Sequence, residues 1–310
     1  MIDSYLPIAV RAYMARSRQD ERDEDRASRA RDWRERSGAW PAYALMIDTE
    51  TTIDASQRLT FGSYRYLRLA LTGDRASAAC VEEGLFRADD LSTSDPRGLA
   101  ILRRYVASHR ADVAPGVSPR LKLLSRREFV NRVLYPAALR AQATTVTFNA
   151  LFDIARIAYD VRPARGRYQG GFSFSLWQYR DAQGVWLENK YRPRITVKSI
   201  DSKRSMKRFT MPWEVEAVDL TSVEPTDDQP EEVVFGGNLL DLRQLVYALT
   251  NEGHSLESAC RAFGVPYAKR RVKHGRITPE YVDYNREDVW GTAELYLKAM
   301  EEFAKCVPSA

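Results

Sequence analysis

Leu45-Met46-Ile47-Asp48-Thr49-Glu50-Thr51-Thr52 (LMIDTETT, residues 45–52) places two carboxylates at the end of an apolar run that enters from Tyr43. The run YALMI reads as a buried β-strand, since a short uninterrupted apolar stretch bounded by polar residues is what such a strand requires. Successive side chains of a strand point to opposite faces, so Asp48 and Glu50 share one side. Two like charges on one side of a buried strand repel each other and lose hydration unless a cation joins them or the strand ends in solvent. Taken alone, the Asp-x-Glu pair leaves both readings open.

The chain has 310 residues, of which 44% are hydrophobic and 29% charged, and a formal net charge of +5. This is enough chain for a large core and too apolar for wholesale disorder, while length alone allows one large domain or two small ones. No stretch approaches the roughly 18 uncharged apolar residues of a membrane span. The N-terminus lacks the long apolar core and small-residue cleavage site of a signal peptide. Cys80, Cys260 and Cys306 stand far apart with no CxxC pair, which argues against a zinc knuckle or a disulfide framework. A cytoplasmic protein is expected. The basic excess suits a polyanionic partner without choosing one.

Residues 1–40 form a charged extension whose mixed Arg, Asp and Glu predict a solvated helix. After it, LTFGSYRYLRLAL (residues 59–71) alternates as a second strand and AACVEEGLFR reads as a third. Asp95-Pro96 marks a helix start, with Asp95 as cap, and Ser125 opens another over LSRREFVNRVLYPAALRA. TTVTF (residues 144–148) is a short β-branched strand, followed by helical spacing in LFDIARIAYD. From about 161 to 235 the pattern changes to aromatic and β-branched alternation, which predicts an inserted antiparallel hairpin or small sheet. The tail of that insert, TSVEPTDDQPEE, reads as a flexible loop. Helical spacing returns after a short strand in NLLDLRQLVYAL, then in HSLESACRAFGV between Ser255 as cap and Gly264 as stop, and finally from Thr278 through Lys305. This order predicts an α/β layer fold around a mixed sheet, with residues 41–310 as one domain that carries the insert.

Two further stretches bear on the carboxylates. In FNALFDIARIA, Asn149 stands where a helix cap belongs, and Asp153 sits between Phe152 and Ile154, where a buried charge needs a partner or a metal. In YNREDV, Tyr284 and Asp288 are four residues apart and share one helix face with Leu295 and Ala299, so that face turns to the protein body. Asp48, Glu50, Asp153 and Asp288 would repel one another unless divalent cations neutralised them. An all-oxygen set with few histidines and cysteines suits Mg²⁺ or Mn²⁺.

IDTETT, FNALFD and YNREDVWGTAEL, in that order, resemble the three motifs of the DEDD 3′-to-5′ exonucleases of the ribonuclease H-like superfamily, which includes polymerase proofreading domains and ribonuclease D. The third motif resembles the tyrosine form, Tyr-x-x-x-Asp. His274 does not supply the histidine form, because Pro279 stands where its aspartate would fall. The resemblance spans about residues 43 to 303, with the β insert outside the family core. It implies a two-metal hydrolysis of phosphodiester bonds, with Asp48, Glu50 and Asp288 holding one ion. Asp48 and, through water, Asp153 would hold the other. It implies that Tyr284 positions the attacking water, and that Thr51, Thr52 and Asn149 line the cleft for the terminal nucleotide. Asp241 matches an acidic position of the family and reads equally well as a helix cap. Lys203, Arg204, Lys207 and Arg208, beside the aromatics of FSFSLWQYR, are expected to contact nucleic acid. DNA is favoured as substrate on the resemblance to proofreading domains, with a polymerase or repair partner in trans. The alternatives are an exoribonuclease of ribonuclease D type and a nucleic-acid-binding module of the same fold without catalysis.

Overall fold

The computed structural model describes residues 41–72, 75–201, 203–210 and 238–306. The expected N-terminal helix and the acidic loop of the insert lie outside them. Strand β1 (Tyr43–Thr51) pairs antiparallel with β2 (Leu59–Thr72), which pairs antiparallel with β3 (Arg75–Arg87). Two short helices follow, α1 (Leu91–Ser94) and α2 (Pro96–Ser108). Asp95 caps α2 as its position predicted, its Oδ1 accepting from the Gly98 N–H at 2.8 Å. Strand β4 (Lys122–Ser125), which the sequence pattern did not single out, runs parallel to β3.

Helix α3 (Arg126–Phe129) opens on a capping box between Ser125 and Glu128. It then widens into π-helical turns over Val130–Leu134 and Pro136–Arg140. Pro136 has no N–H and its ring crowds the preceding turn, so the α register cannot continue through it. Strand β5 (Thr144–Thr147) is parallel to β1 and leads into α4 (Ala150–Ile157). The insert then supplies β6 (Asp160–Pro163), β7 (Phe172–Ser175), β8 (Gln178–Arg180), β9 (Trp186–Glu188), β10 (Arg194–Ser199) and β11 (Ser205–Thr210). Strand β12 (Asn238–Asp241) returns to the main sheet parallel to β5, followed by α5 (Leu242–Thr250), α6 (Leu256–Ala262) and α7 (Pro279–Cys306).

The main sheet has the order β12-β5-β1-β2-β3-β4, so it is mixed and β1 lies inside it. The insert forms its own antiparallel sheet, β11-β10-β7-β6, with β8 and β9 as a separate ribbon. Both faces of β1 are covered, which explains its unbroken apolar run. Ala44 and Met46 pack with residues of α5, α6 and α7, including Leu245, Cys260, Val289 and Tyr296. Leu45 and Ile47 point the other way, toward Phe129, Val133, Ile154 and the insert residues Trp177, Ile195 and Phe209. A third cluster joins Phe61 and Leu85 to α2 and to Tyr281, Val282 and Tyr284 at the start of α7. The protein is therefore a mixed α/β fold with a central sheet flanked by helices. Among the described residues no helix is long and apolar enough to cross a membrane.

Candidate functional site

Asp48 and Glu50 extend the same face of β1 as Ala44 and Met46, and so look toward α7. Their strand position is set by β2, where Asp48 pairs with Ser63, Thr49 with Gly62 and Glu50 with Phe61. A Cβ on Gly62 would stand 2.5 Å from the Asp48 carbonyl oxygen, so only glycine lets the strands close here. The register shifts between Glu50 and Thr51, where a bulge ends the regular ladder just beyond the two carboxylates.

Helix α7 meets them from above. Asn285, 0% exposed, donates its amide to Asp48 Oδ2 at 2.5 Å and lies 3.4 Å from Glu50 Oε1. Ser63 Oγ holds the Asn285 carbonyl at 3.1 Å, tying the helix to β2. Tyr281 donates its hydroxyl to Glu50 Oε2, and Tyr284 donates to Asp288. Tyr267 reaches Asp288 Oδ1 from the segment that precedes α7. Its ring lies against Gly291, where a Cβ would stand 2.7 Å from it, so the glycine one turn beyond Asp288 makes room for the tyrosine.

Asp153 arrives on the opposite side of the sheet. Strand β5 pairs with β1 only at Ala44, Leu45 and Met46, and beyond that point Asp153 Oδ1 accepts from the Thr49 N–H at 3.1 Å and from Thr49 Oγ1 at 2.7 Å. The carboxylate thus completes the edge of β1 where the neighbouring strand has run out. Asn149 takes the N-cap position of α4, but its side chain makes no capping bond and is exposed. The cap comes instead from Asp241, whose Oδ2 accepts from the Ala150 N–H and whose Oδ1 accepts from the Gln244 N–H, each at 3.2 Å. Asp241 therefore caps α4 and α5 together.

Burial pushes the Asp48 carboxyl well above the usual carboxylate range, and the charges of Asp153, Glu50 and Asp288 push it further. Glu50 is raised to about 7, chiefly by burial, against the hydrogen bonds from Tyr281 and Asn285 that favour its anion. Asp153 is raised to about 7 by burial, opposed by its bonds from Thr49. Asp288 is raised too, again by burial first. The phenols of Tyr267, Tyr281 and Tyr284 are pushed up by burial and by these carboxylates, so at neutral pH they stay protonated and donate to them. The four carboxylates expected from sequence do interact, three of them through Asp48. Among the described residues, however, no three His, Cys, Asp or Glu side chains form a ready-made ion cage.

The substrate contacts expected from sequence fare unevenly. Tyr284 is 3% exposed, with its hydroxyl on Asp288. Thr51 is half-buried at the bulge, and Thr52 closes the loop after β1, its Oγ1 accepting from the Arg58 N–H at 3.0 Å. Lys207, expected on a nucleic-acid surface, is buried with its ammonium on Gln244 Oε1 at 2.7 Å. The β11 pleat turns it inward, so it cannot reach a polyanion, and the contact expected of it is withdrawn. Lys203 lies 4.6 Å over the Tyr247 ring, and Arg204 pairs with Asp201 at 2.6 Å. Arg208 is half-buried, with its Nε on the Phe209 carbonyl at 3.2 Å.

Sequence reasoning missed Asn285, Tyr281 and Tyr267, and set His274 aside as the histidine of the third motif without seeing its place beside Tyr281 and Glu50. The His274 Nδ1 lies 3.2 Å from the Tyr281 hydroxyl and 4.0 Å from Glu50 Oε2. Asn285 and Tyr281 were within reach of the helical spacing, being three before Asp288 and three before Tyr284. Tyr267 and His274 sit in irregular chain, where no periodicity points.

Comparison of the chain with protein-family models, with curated proteins and with solved structures gives no match.

Proposed function

We propose that this protein is a metal-dependent 3′-to-5′ exonuclease of the DEDD type, with a ribonuclease H-like sheet and DNA as its favoured substrate. The observation that carries the reading is the crowding of Asp48. Its carboxyl lies under the charges of Glu50 from its own strand, Asp153 from α4 and Asp288 from α7. Carboxylates from three separate elements thus bear on Asp48, although among the described residues they do not form a ready-made ion cage. A fold maintains such repulsion at a cost in stability, which is the expected mark of a site and not of a scaffold.

The donor chemistry fits a hard divalent cation: every carboxylate is an oxygen ligand, and the buried Asn285 Oδ1 has no hydrogen-bond partner among the described residues. Asp48, Glu50 and Asp288 would hold one ion, and Asp48 with Asp153 the other. Two Mg²⁺ or Mn²⁺ ions would supply Lewis acidity at the phosphate and neutralise charge developing in the transition state. The chain's own part is orientation. Asn285 spans Asp48 and Glu50, and the Tyr281, Tyr284 and Tyr267 hydroxyls fix the carboxylate planes of Glu50 and Asp288. None of the three phenols serves as a base, because each is held protonated.

The test is digestion of matched DNA and RNA strands, blocked in turn at each end, in Mg²⁺ or Mn²⁺. Wild type is expected to shorten the DNA strand from its free 3′ end, and Asp48→Ala or Asp288→Ala to reduce this by at least about a thousandfold while the fold persists. Undiminished cleavage by both variants refutes the reading. The hydrogen-bonded state of the carboxylates favours a second reading, a nucleic-acid-binding module without catalysis. Calorimetric titration with Mn²⁺ separates them, since the enzyme takes up two ions and the module need not.

A further inference from the structure

Lys269-Arg270-Arg271-Val272-Lys273-His274-Gly275-Arg276 (KRRVKHGR) joins α6 to α7, and five of its eight residues are Lys or Arg. All but Val272 are exposed. A charge run of this kind is ordinarily a solvated loop, but this one is fixed to the rim of the carboxylate site at several points. Tyr267, just before it, holds Asp288, and His274 within it contacts Tyr281. Gly275, at φ +84, lies against Ile53 of the loop that leaves β1. Ile277, just after it, is buried with Phe61 and Tyr281. Arg270 pairs with Glu287 at 2.5 Å. The side chains of Arg271, Lys273 and Arg276 make no hydrogen bond or ion pair with any described residue.

An acidic centre that acts on a polyanion must overcome its own field, and a flanking row of cations is the simplest means. The insert is poorly suited to that task, with Lys207 buried, Arg204 paired to Asp201 and Lys203 over Tyr247. We infer that the strap of residues 269–276, and not the β insert, is the surface that grips the phosphate backbone of a nucleic-acid strand and leads it to the carboxylates. Arg271, Lys273 and Arg276 are the contacting cations. This rests on the nuclease reading, but its test does not need cleavage.

The test measures binding of a 5′-labelled oligothymidylate by fluorescence anisotropy, with EDTA present, over a series of salt concentrations. The triple variant Arg271→Ala/Lys273→Ala/Arg276→Ala is expected to weaken binding about tenfold or more. Its slope of log affinity against log salt is expected to fall by about 2, since each single-strand phosphate contact contributes about 0.7. The charge-keeping double variant Arg271→Lys/Arg276→Lys, with Lys273 left in place, is expected to retain most of the binding, which a general loss of folding would not allow. Unchanged affinity and slope in the alanine variant, or a larger loss in Lys203→Ala/Arg204→Ala, overturns the inference. If Asp48→Ala abolishes cleavage while the strap variant binds normally, the nuclease reading stands and the strap inference fails. If the strap variant loses the strand but no cleavage is found in wild type, the strap inference stands without the nuclease reading.

Discussion

At the scale of single residues, the site is held in a state that a bare protein resists. Glu50 and Asp153 both sit near 7, well above the ordinary carboxylate, because burial penalises their anions. The sign of the consequence follows directly. Below the ordinary values of 4.5 for Glu and 3.8 for Asp, both folded and unfolded chains hold the protons. Between those values and about 7 the unfolded chain releases them first, so the folded state binds more protons and stability falls as pH rises. The thermal midpoint of metal-free protein is therefore expected to drop by several degrees between about pH 5 and pH 8. Glu50→Gln should flatten the curve by removing one of the titrating groups. A midpoint that rises through this window, in both wild type and variant, would show that the carboxylates are better solvated than their surroundings imply.

At the scale of elements, α7 presents Asn285 and Asp288 to the carboxylates of β1 because something fixes its rotation. Arg286, between Asn285 and Glu287, points away from the carboxylates and anchors the helix to β3. Its Nε meets Glu83 Oε1 at 2.7 Å, its Nη1 meets the Tyr105 hydroxyl at 2.9 Å and its Nη2 meets the Arg110 carbonyl at 3.0 Å. Glu83 is 2% exposed and also lies 3.7 Å from Arg65. Arg286→Ala would leave that glutamate short of its closest cation, and loss of one partner from a buried pair costs about 3–5 kcal/mol. Urea unfolding should report a loss in that range, and the double variant Glu83→Gln/Arg286→Met should recover a large part of it. A loss below about 1 kcal/mol would place the pair with ordinary surface bridges. The strands and helices around this anchor were legible in the sequence because periods of 2 and 3.6 register burial directly, as LTFGSYRYLRLAL and the Tyr284/Asp288 face show. What periodicity cannot carry is tertiary pairing. Asp241 capping two helices, Asp153 closing the edge of β1 and Lys207 turned into the core each depend on a neighbour more than thirty residues away.

At the scale of the molecule, the insert is a structural layer. Its composition marked it correctly as an antiparallel β interruption, but alternation alone does not say which face is covered or by what. Trp177, fully buried, donates its indole N–H to the Val130 carbonyl at 2.9 Å, at the point where α3 gives way to π-helical turns. With Phe174, Ile195, Val197 and Phe209 it belongs to the same cluster as Leu45 and Ile47 of β1. The insert thus covers the face of the sheet opposite α7, close behind the strand that bears Asp48 and Glu50. Two consequences separate this arrangement from a sheet that folds independently. Trp177→Ala should destabilise the whole protein by about 3–5 kcal/mol, the range for removing a large buried aromatic. Unfolding followed by far-ultraviolet dichroism and by tryptophan fluorescence should remain one coincident transition in wild type, because the core of the insert is also the core of the main sheet. Two resolved transitions, with Trp177→Ala shifting only one of them, would instead make the insert a separate folding unit and remove its support from the position of β1.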